Sequence, residues 1–261
     1  TENAVSTGLK VSTAADNPAA FGIASQMDGN IAGQGAVNDG LSFASEVVSN
    51  TTSAANSILS VLNNVQSAVT TLGDDEGSTT SLSQVASEIN GYLTQIDTIA
   101  RNSTTNGVNL LSGGTAGGTN DGKAITATSL TYVTGLQGDT ATITGFGSAI
   151  SSAMGTLAYS GSATSGATLT DVLGLSTGGT AGSSPTANVF VSTAGALLTG
   201  SGSSADISAM ISAVQQAIVA MTNVTSSLGA NTKVLSSMST YGATLSDNLT
   251  AGVGALTDAD M

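Results

Sequence analysis

Both ends of this chain carry apolar residues in steps of three and four, and the stretch between them does not. Residues from about Ala14 to Arg101, and again from about Asp206 to Asp260, read as long amphipathic helices. The middle is rich in Gly, Ser and Thr, with short β-like runs. A helix striped on one side must bury that stripe against another element. The nearest candidate for one end is the other end. The expected fold is therefore mainly α with a β-containing insert. A long antiparallel helical-bundle rod domain would form from both chain ends (1–112 and 203–261), with a central α+β insert domain at 113–202. Such rods build structures more often than they catalyse reactions.

The first helix is expected to start at Asp16-Asn17-Pro18, because Asp and Asn cap helices and Pro is tolerated at the first helical position. Its stripe runs through Ile23, Met27, Val37, Leu41, Ala44 and Val48. It then shifts by one position to Val47, Ala54 and Ile58 and finishes at Ile58, Leu62, Val65, Val69 and Leu72. Glycines at 29, 33, 35 and 40 each cost up to about 1 kcal/mol in a helix, so neighbours must hold this part. Gly73 to Gly77 breaks the helix. Ser81 with Gln84 suggests a capping box for a second helix bearing Leu82, Val85, Ile89, Leu93, Ile96 and Ile99, ending near Asn102. In the middle, Ala124–Leu130, Thr131–Val133, Ala141–Thr144 and Asn188–Val191 read as strands, and Ala149–Ala158 and Leu169–Leu175 as short helices. The last helix holds one seven-residue register through Met221, Val224, Leu228, Leu235, Met238, Leu245, Leu249 and Leu256, with Asn231, Gly242 and Gly252 in the remaining seam positions. The nearest partner for it is the seam at Ile58–Leu72. Truncating a seam residue such as Leu235 to Ala is expected to cost about 2–5 kcal/mol.

Composition narrows the function. Aromatics are 3% of residues and Trp is absent, so the core must be built from small aliphatic side chains. Net charge is −13, with four basic residues scattered at Lys10, Arg101, Lys123 and Lys233. No basic stripe exists for nucleic acid, whose binding needs clustered Lys and Arg, and an anionic membrane surface is disfavoured for the same reason. No apolar run approaches the ~18 residues of a membrane span, so no membrane insertion is expected. Without His or Cys, the common nucleophile–base pairs and zinc sites cannot be assembled. Gly117 to Lys123 resembles a phosphate loop, but Ala124 stands where a Ser or Thr should hold magnesium. Asp74-Asp75-Glu76 is too consecutive for a calcium loop. Asp258 and Asp260 lie near a helix end, where carboxylates are disfavoured by the dipole. Paired carboxylates for glycoside hydrolysis lack an aromatic platform. Met210, Met221 and Met238 follow the helical seam and read as core. No catalytic residue, metal or cofactor is expected.

Specific blocks carry a family likeness. STGLKVSTAADNPAAFGIASQM (Ser6–Met27) resembles the N-terminal signature of bacterial flagellins. AVNDGLSFAS (Ala36–Ser45) resembles their Asn-Asp-Gly-Ile/Leu-Ser block. EINGYLTQIDTIARNSTTNGVNLLSGG (Glu88–Gly114) is similar to their second helix and the Phe-Asn-Gly-x-x-Leu-Leu turn after it, with Thr105 in place of Phe. SLGANTKVLSSM and LSDNLTAGVGALTDADM resemble the closing helix and its Asp-Ala-Asp block. The resemblance covers both helical ends.

The resemblance implies a structural subunit of the bacterial flagellar filament, secreted to the cell exterior and self-assembling with other flagellin subunits into the propeller used for motility. It implies an export chaperone and a filament cap as partners, and a variable, surface-exposed insert at 113–202. In the family, further helices beyond these blocks carry most polymerisation contacts. The chain is accordingly expected to be a core fragment that stays monomeric. The alternatives are a hook–filament junction protein and a cell-surface adhesin or glycan-binding module using the insert, whose Ser and Thr could also carry surface glycans. Finally, Asn64, Gln66 and Ser67 stand where many flagellins have two Arg and a Glu, in a patch read by an innate immune receptor. This degenerate patch implies weak or no activation.

Overall fold

Asn17 starts the first helix. Its Oδ1 accepts a hydrogen bond from the Ala20 amide at 3.1 Å, and its carbonyl accepts from the Phe21 amide at 2.9 Å. Pro18 follows at the position where a missing N–H costs nothing. Helix α1 then runs without interruption over Pro18–Asp74. The computed structural model describes residues 7–74, 78–111, 125–155, 168–175 and 204–258. Asp75, Glu76, the segment Gly117–Lys123, the expected strand Asn188–Val191 and Asp260 lie outside the described residues.

Helix α2 spans Thr79–Asn102. Its cap is Ser78, whose side chain accepts from the Ser81 amide at 3.3 Å. The helix thus begins before the expected Ser81–Gln84 box. Residues 78–81 are all hydroxylic, and sequence favoured the one followed by Gln. Strands β1 (Leu130–Val133) and β2 (Thr140–Ile143) form a two-stranded sheet. Thr134 N–H donates to the Asp139 carbonyl across its turn at 2.7 Å. Helices α3 (Gly147–Met154) and α4 (Leu169–Val172) follow, and α5 closes the chain over Ser204–Thr257. The fold is mainly α, with a small sheet in its middle.

The expected strand at Ala124–Leu130 is corrected. There, Val108 and Ala127 form one isolated parallel bridge. The amides of Thr126 and Ala127 donate to the Gly107 carbonyl, and Asn109 N–H donates to the Ala127 carbonyl. These residues pair with a turn instead of a neighbouring strand, so regular sheet begins only at Leu130.

The chain forms two compact units. The first contains Thr1–Glu46, Thr131–Thr142 and Thr232–Met261; the second contains Val47–Leu130 and Ile143–Asn231. Helices α1 and α5 contribute to both. In the first unit the two helices run antiparallel. Met27 lies against Gly252, and Gln34 and Asn38 lie against Gly242. Beyond them Leu9 bridges Asp258, and Lys10 N–H donates to the Thr257 carbonyl at 2.6 Å. Leu136, in the β1–β2 turn, sits over Gly33, where a Cβ would come within 2.8 Å of it. In the second unit the end of α1 meets the start of α5, with Gly73 against Ile207.

Helix α5 is long and apolar enough, by length and composition, to cross a membrane. The expectation that no run approached such a span counted consecutive apolar residues, which Gln, Ser, Thr and Asn interrupt in α5. Ala, Val, Ile and Met raise its average despite those breaks. Of its most apolar window, 44% is buried inside the protein.

Candidate functional surface

The buried stripe of α1 continues in steps of three and four through Leu41, Ala44, Val48, Thr51, Ala55, Ile58, Leu62, Val65, Val69 and Leu72. The expected one-position shift does not occur. Val47, Ala54, Val61 and Ala68 form a second buried file, seven residues apart, beside the first. A helix held by more than one neighbour buries a stripe wider than a two-helix seam. At the other end Ile23 is exposed, and Ala24 takes the buried position. In α2, Ala100 is buried and Ile99 only partly so.

On α5, Met221 and Leu228 are buried in the second unit and Leu235 in the first. Met238, Leu245 and Leu249 are half-buried. The pairing of this whole register with Ile58–Leu72 is corrected. Only the first half of α5, up to Asn231, shares a unit with that seam; the Leu235–Leu249 half shares one with residues before Val47. The reason is geometric. At 1.5 Å of rise per residue, a helix of 54 residues runs far past a seam that spans only Ile58–Leu72 and cannot pair with it along its whole length.

Two polar residues enter the α1 stripe that sequence reading missed. Thr51 is buried, its hydroxyl donating to the Val47 carbonyl at 2.8 Å. Gln34 is buried, its amide donating to Asn38 Oδ1 at 3.1 Å. Bonding within their own helix makes their burial affordable. Gly242 matters for its missing side chain, because a Cβ there would collide with Asn38 and Gln34.

The turn after α2 is tied down by asparagines. Asn106 (φ 50°) and Gly107 (φ 84°) form a two-residue loop closed by reciprocal Thr105–Val108 backbone bonds of 2.9 Å. Positive φ at both positions is what such a tight turn requires. Thr105, where the resembling family has Phe, is half-buried, and its hydroxyl accepts from Asn50 Nδ2 at 2.8 Å. A hydrogen bond to α1 thus holds this corner. Buried Asn109 donates to the Ala100 carbonyl at 2.8 Å and accepts from the Leu111 amide at 2.9 Å.

Outward-facing positions carry little charge. Asn64 and Ser67 are exposed on α1 and Gln66 is half-buried. An open groove between α3 and α5 is lined by Ala153, Ser212, Gln215, Gln216, Val219 and Ala220. None of these six side chains titrates near neutral pH. Among the described residues no three of His, Cys, Asp and Glu lie close enough together to hold a metal ion. Asp16 is held below the usual carboxylate range by the amides of Thr13 and Ser12, which it accepts at 2.9 and 3.1 Å, and by both their hydroxyls. Asp97 goes the other way: burial pushes its carboxyl up to about 6.

Compared with known families, residues 1–116 match the model of the bacterial flagellin N-terminal helical region. None of the curated proteins compared with the chain matches it.

Proposed function

The chain is a bacterial flagellin by its first 116 residues, the N-terminal helical region of that family, and on that premise we propose that it is a main structural subunit of the flagellar filament, secreted and self-assembling into the propeller that drives motility. The family's role is structural, not enzymatic. The observation that carries the reading is the antiparallel pairing of the two chain ends in the first unit, closed by the Leu9–Asp258 bridge. A subunit that polymerises through segments flanking both ends must bring those ends together. Long helices with fixed backbone hydrogen bonds are also suited to transmitting torque.

The remaining partners belong to the same reading: other flagellin subunits, an export chaperone, a filament cap, and glycans on a variable, surface-exposed insert at 113–202. Support for the last is compositional, in the Ser and Thr of that region. Protein carrying the family's flanking helices is expected to form filaments visible by electron microscopy and to dominate sheared filaments. Presence only in trace amounts at the filament base would assign it to the hook junction instead.

The receptor patch belongs here too. Arg and Glu supply charge-assisted, directional bonds that Asn64, Gln66 and Ser67 cannot replace. In a cell reporter assay the full-length protein should signal weakly or not at all; full-strength signalling would refute this.

A further inference from the structure

A carboxylate on α2 grips a backbone amide on α4 across 73 residues of sequence. Asp97 Oδ1 accepts from the Thr170 amide at 2.9 Å, and its Oδ2 accepts from the Thr170 hydroxyl at 2.8 Å. Thr170 itself is buried, as are Leu169, Val172, Leu173 and Leu175 around it. On the α2 side, Leu93, Ile96 and Ala100 are buried. The contact is therefore a polar bond inside an apolar joint. The segment it secures is short, and α4 has its own capping box: Thr168 accepts from the Asp171 amide while Asp171 Oδ2 accepts from the Thr168 amide.

The charges around the joint are few. Asp171 lies close enough for its carboxylate to repel that of Asp97. Arg101, one turn further along α2, donates to Thr98 Oγ1 at 3.1 Å. Helix α3, which also touches α4, has no titratable residue in its sequence GSAISSAM. A carboxylate pressed into apolar surroundings beside a like charge is better tolerated as the neutral acid, which still accepts one hydrogen bond and can donate another.

We propose that the Asp97–Thr170 contact is a proton-controlled latch, which holds residues 168–175 on α2 more firmly in acid than at neutral pH. Desolvation is the largest cause of the raised Asp97 value of about 6, the Asp171 charge adds to it, and the bonds from Thr170 and from the Thr168 side chain oppose it. The sign follows from linkage. The docked state keeps its proton to about 6, whereas undocked Asp97 loses it near the ordinary 3.8. Between those values the docked state binds more protons, so docking weakens as pH rises through the window and is strongest below it. A shift of that size corresponds to roughly a hundredfold change in the docking equilibrium.

Hydrogen exchange on the 261-residue chain tests this. The Leu173 and Leu175 amides, bonded to the Leu169 and Thr170 carbonyls, report on α4; amides inside α2 serve as reference. After correction for intrinsic rates, α4 protection relative to α2 should fall roughly a hundredfold between pH 4 and pH 7.5. D97N should remove that fall. T170V, which withdraws a donor from the ionised form, should move its midpoint to higher pH. Equal pH profiles for α4 and α2, or an unchanged slope in D97N, would overturn the latch. If D97N does not fold, an unmoved midpoint in T170V overturns it equally.

Discussion

The second unit is an apolar core, and the first is a seam stiffened by small and polar residues. Among the described residues, the largest fully buried side chains are Leu41, Ile58, Leu62, Leu72, Ile96, Leu110, Leu111, Ile150, Leu173, Leu175 and Met221, and all of these but Leu41 belong to the second unit. The first unit relies on Gly33 beneath Leu136, Gly242 against Gln34 and Asn38, and Gly252 against Met27. Its outer α5 positions Met238, Leu245 and Leu249 are only partly buried. The same two helices take part in both, so the difference lies in the side chains and in what else covers them. The second unit adds α2, α3 and α4 to the helix pair. Among the described residues, the first adds a hairpin and the residues leading into α1.

Truncation should expose that contrast most strongly. Leu62→Ala is expected to cost about 2–5 kcal/mol, because a fully buried Leu leaves a cavity. Leu245→Ala should cost less, about 1–2 kcal/mol, since part of its side chain is already in water and less apolar surface is lost. Urea unfolding followed by far-UV circular dichroism measures both; equal losses would break the comparison.

Adding a methyl group sharpens it next. At Gly145 in the second unit a Cβ would run into the Thr128 backbone carbonyl. Gly145→Ala should therefore cost about 1–3 kcal/mol through backbone displacement. At Gly33 the obstacle is the end of the flexible Leu136 side chain. That strain is offset by the up to ~1 kcal/mol that Ala gains over Gly in a helix, so Gly33→Ala should be close to neutral in the same measurement.

The smallest effect concerns the entry to α1. The Asp16 carboxyl titrates below its ordinary 3.8 because the folded turn bonds its charged form. Its contribution is present above that value and is lost as pH falls through the lowered one. Amide exchange at Ser12 and Thr13 should accelerate, relative to intrinsic rates, below about pH 4. Asp16→Asn should remove most of that pH dependence; protection that persists unchanged into stronger acid would contradict the turn's role.

The three long helices were legible because their apolar period is sustained, and the start of α1 because Asn17-Pro18 is a strong local signal. The α1 file was misread near Thr51 because a hydroxyl that bonds its own helix looks, in sequence, like a solvent-facing residue. Which half of α5 meets which part of α1 could not be read from either stripe, since a seven-residue repeat looks the same at every turn. The Asp97–Thr170 bond left no local trace, as its partners are far apart in sequence and each resembles an ordinary helix-surface residue. In the middle, Thr and Ser suit strand and turn alike, so residues 125–129 read as strand although they pair with the Gly107 turn.

The central claim is that the two long helices α1 and α5 pair within each unit, the start of α1 with the end of α5 in the first and the end of α1 with the start of α5 in the second. The natural chain has no cysteine, so engineered pairs report without background. A disulfide should form readily in G73C/I207C and a short thiol cross-linker should bridge M27C/G252C, whereas V48C/I207C should do neither, its α1 position lying 25 residues, or roughly 37 Å of helix, from Gly73. Rapid cross-linking of V48C/I207C, with the first two pairs remaining unlinked, would contradict the pairing and the filament-subunit reading that rests on it.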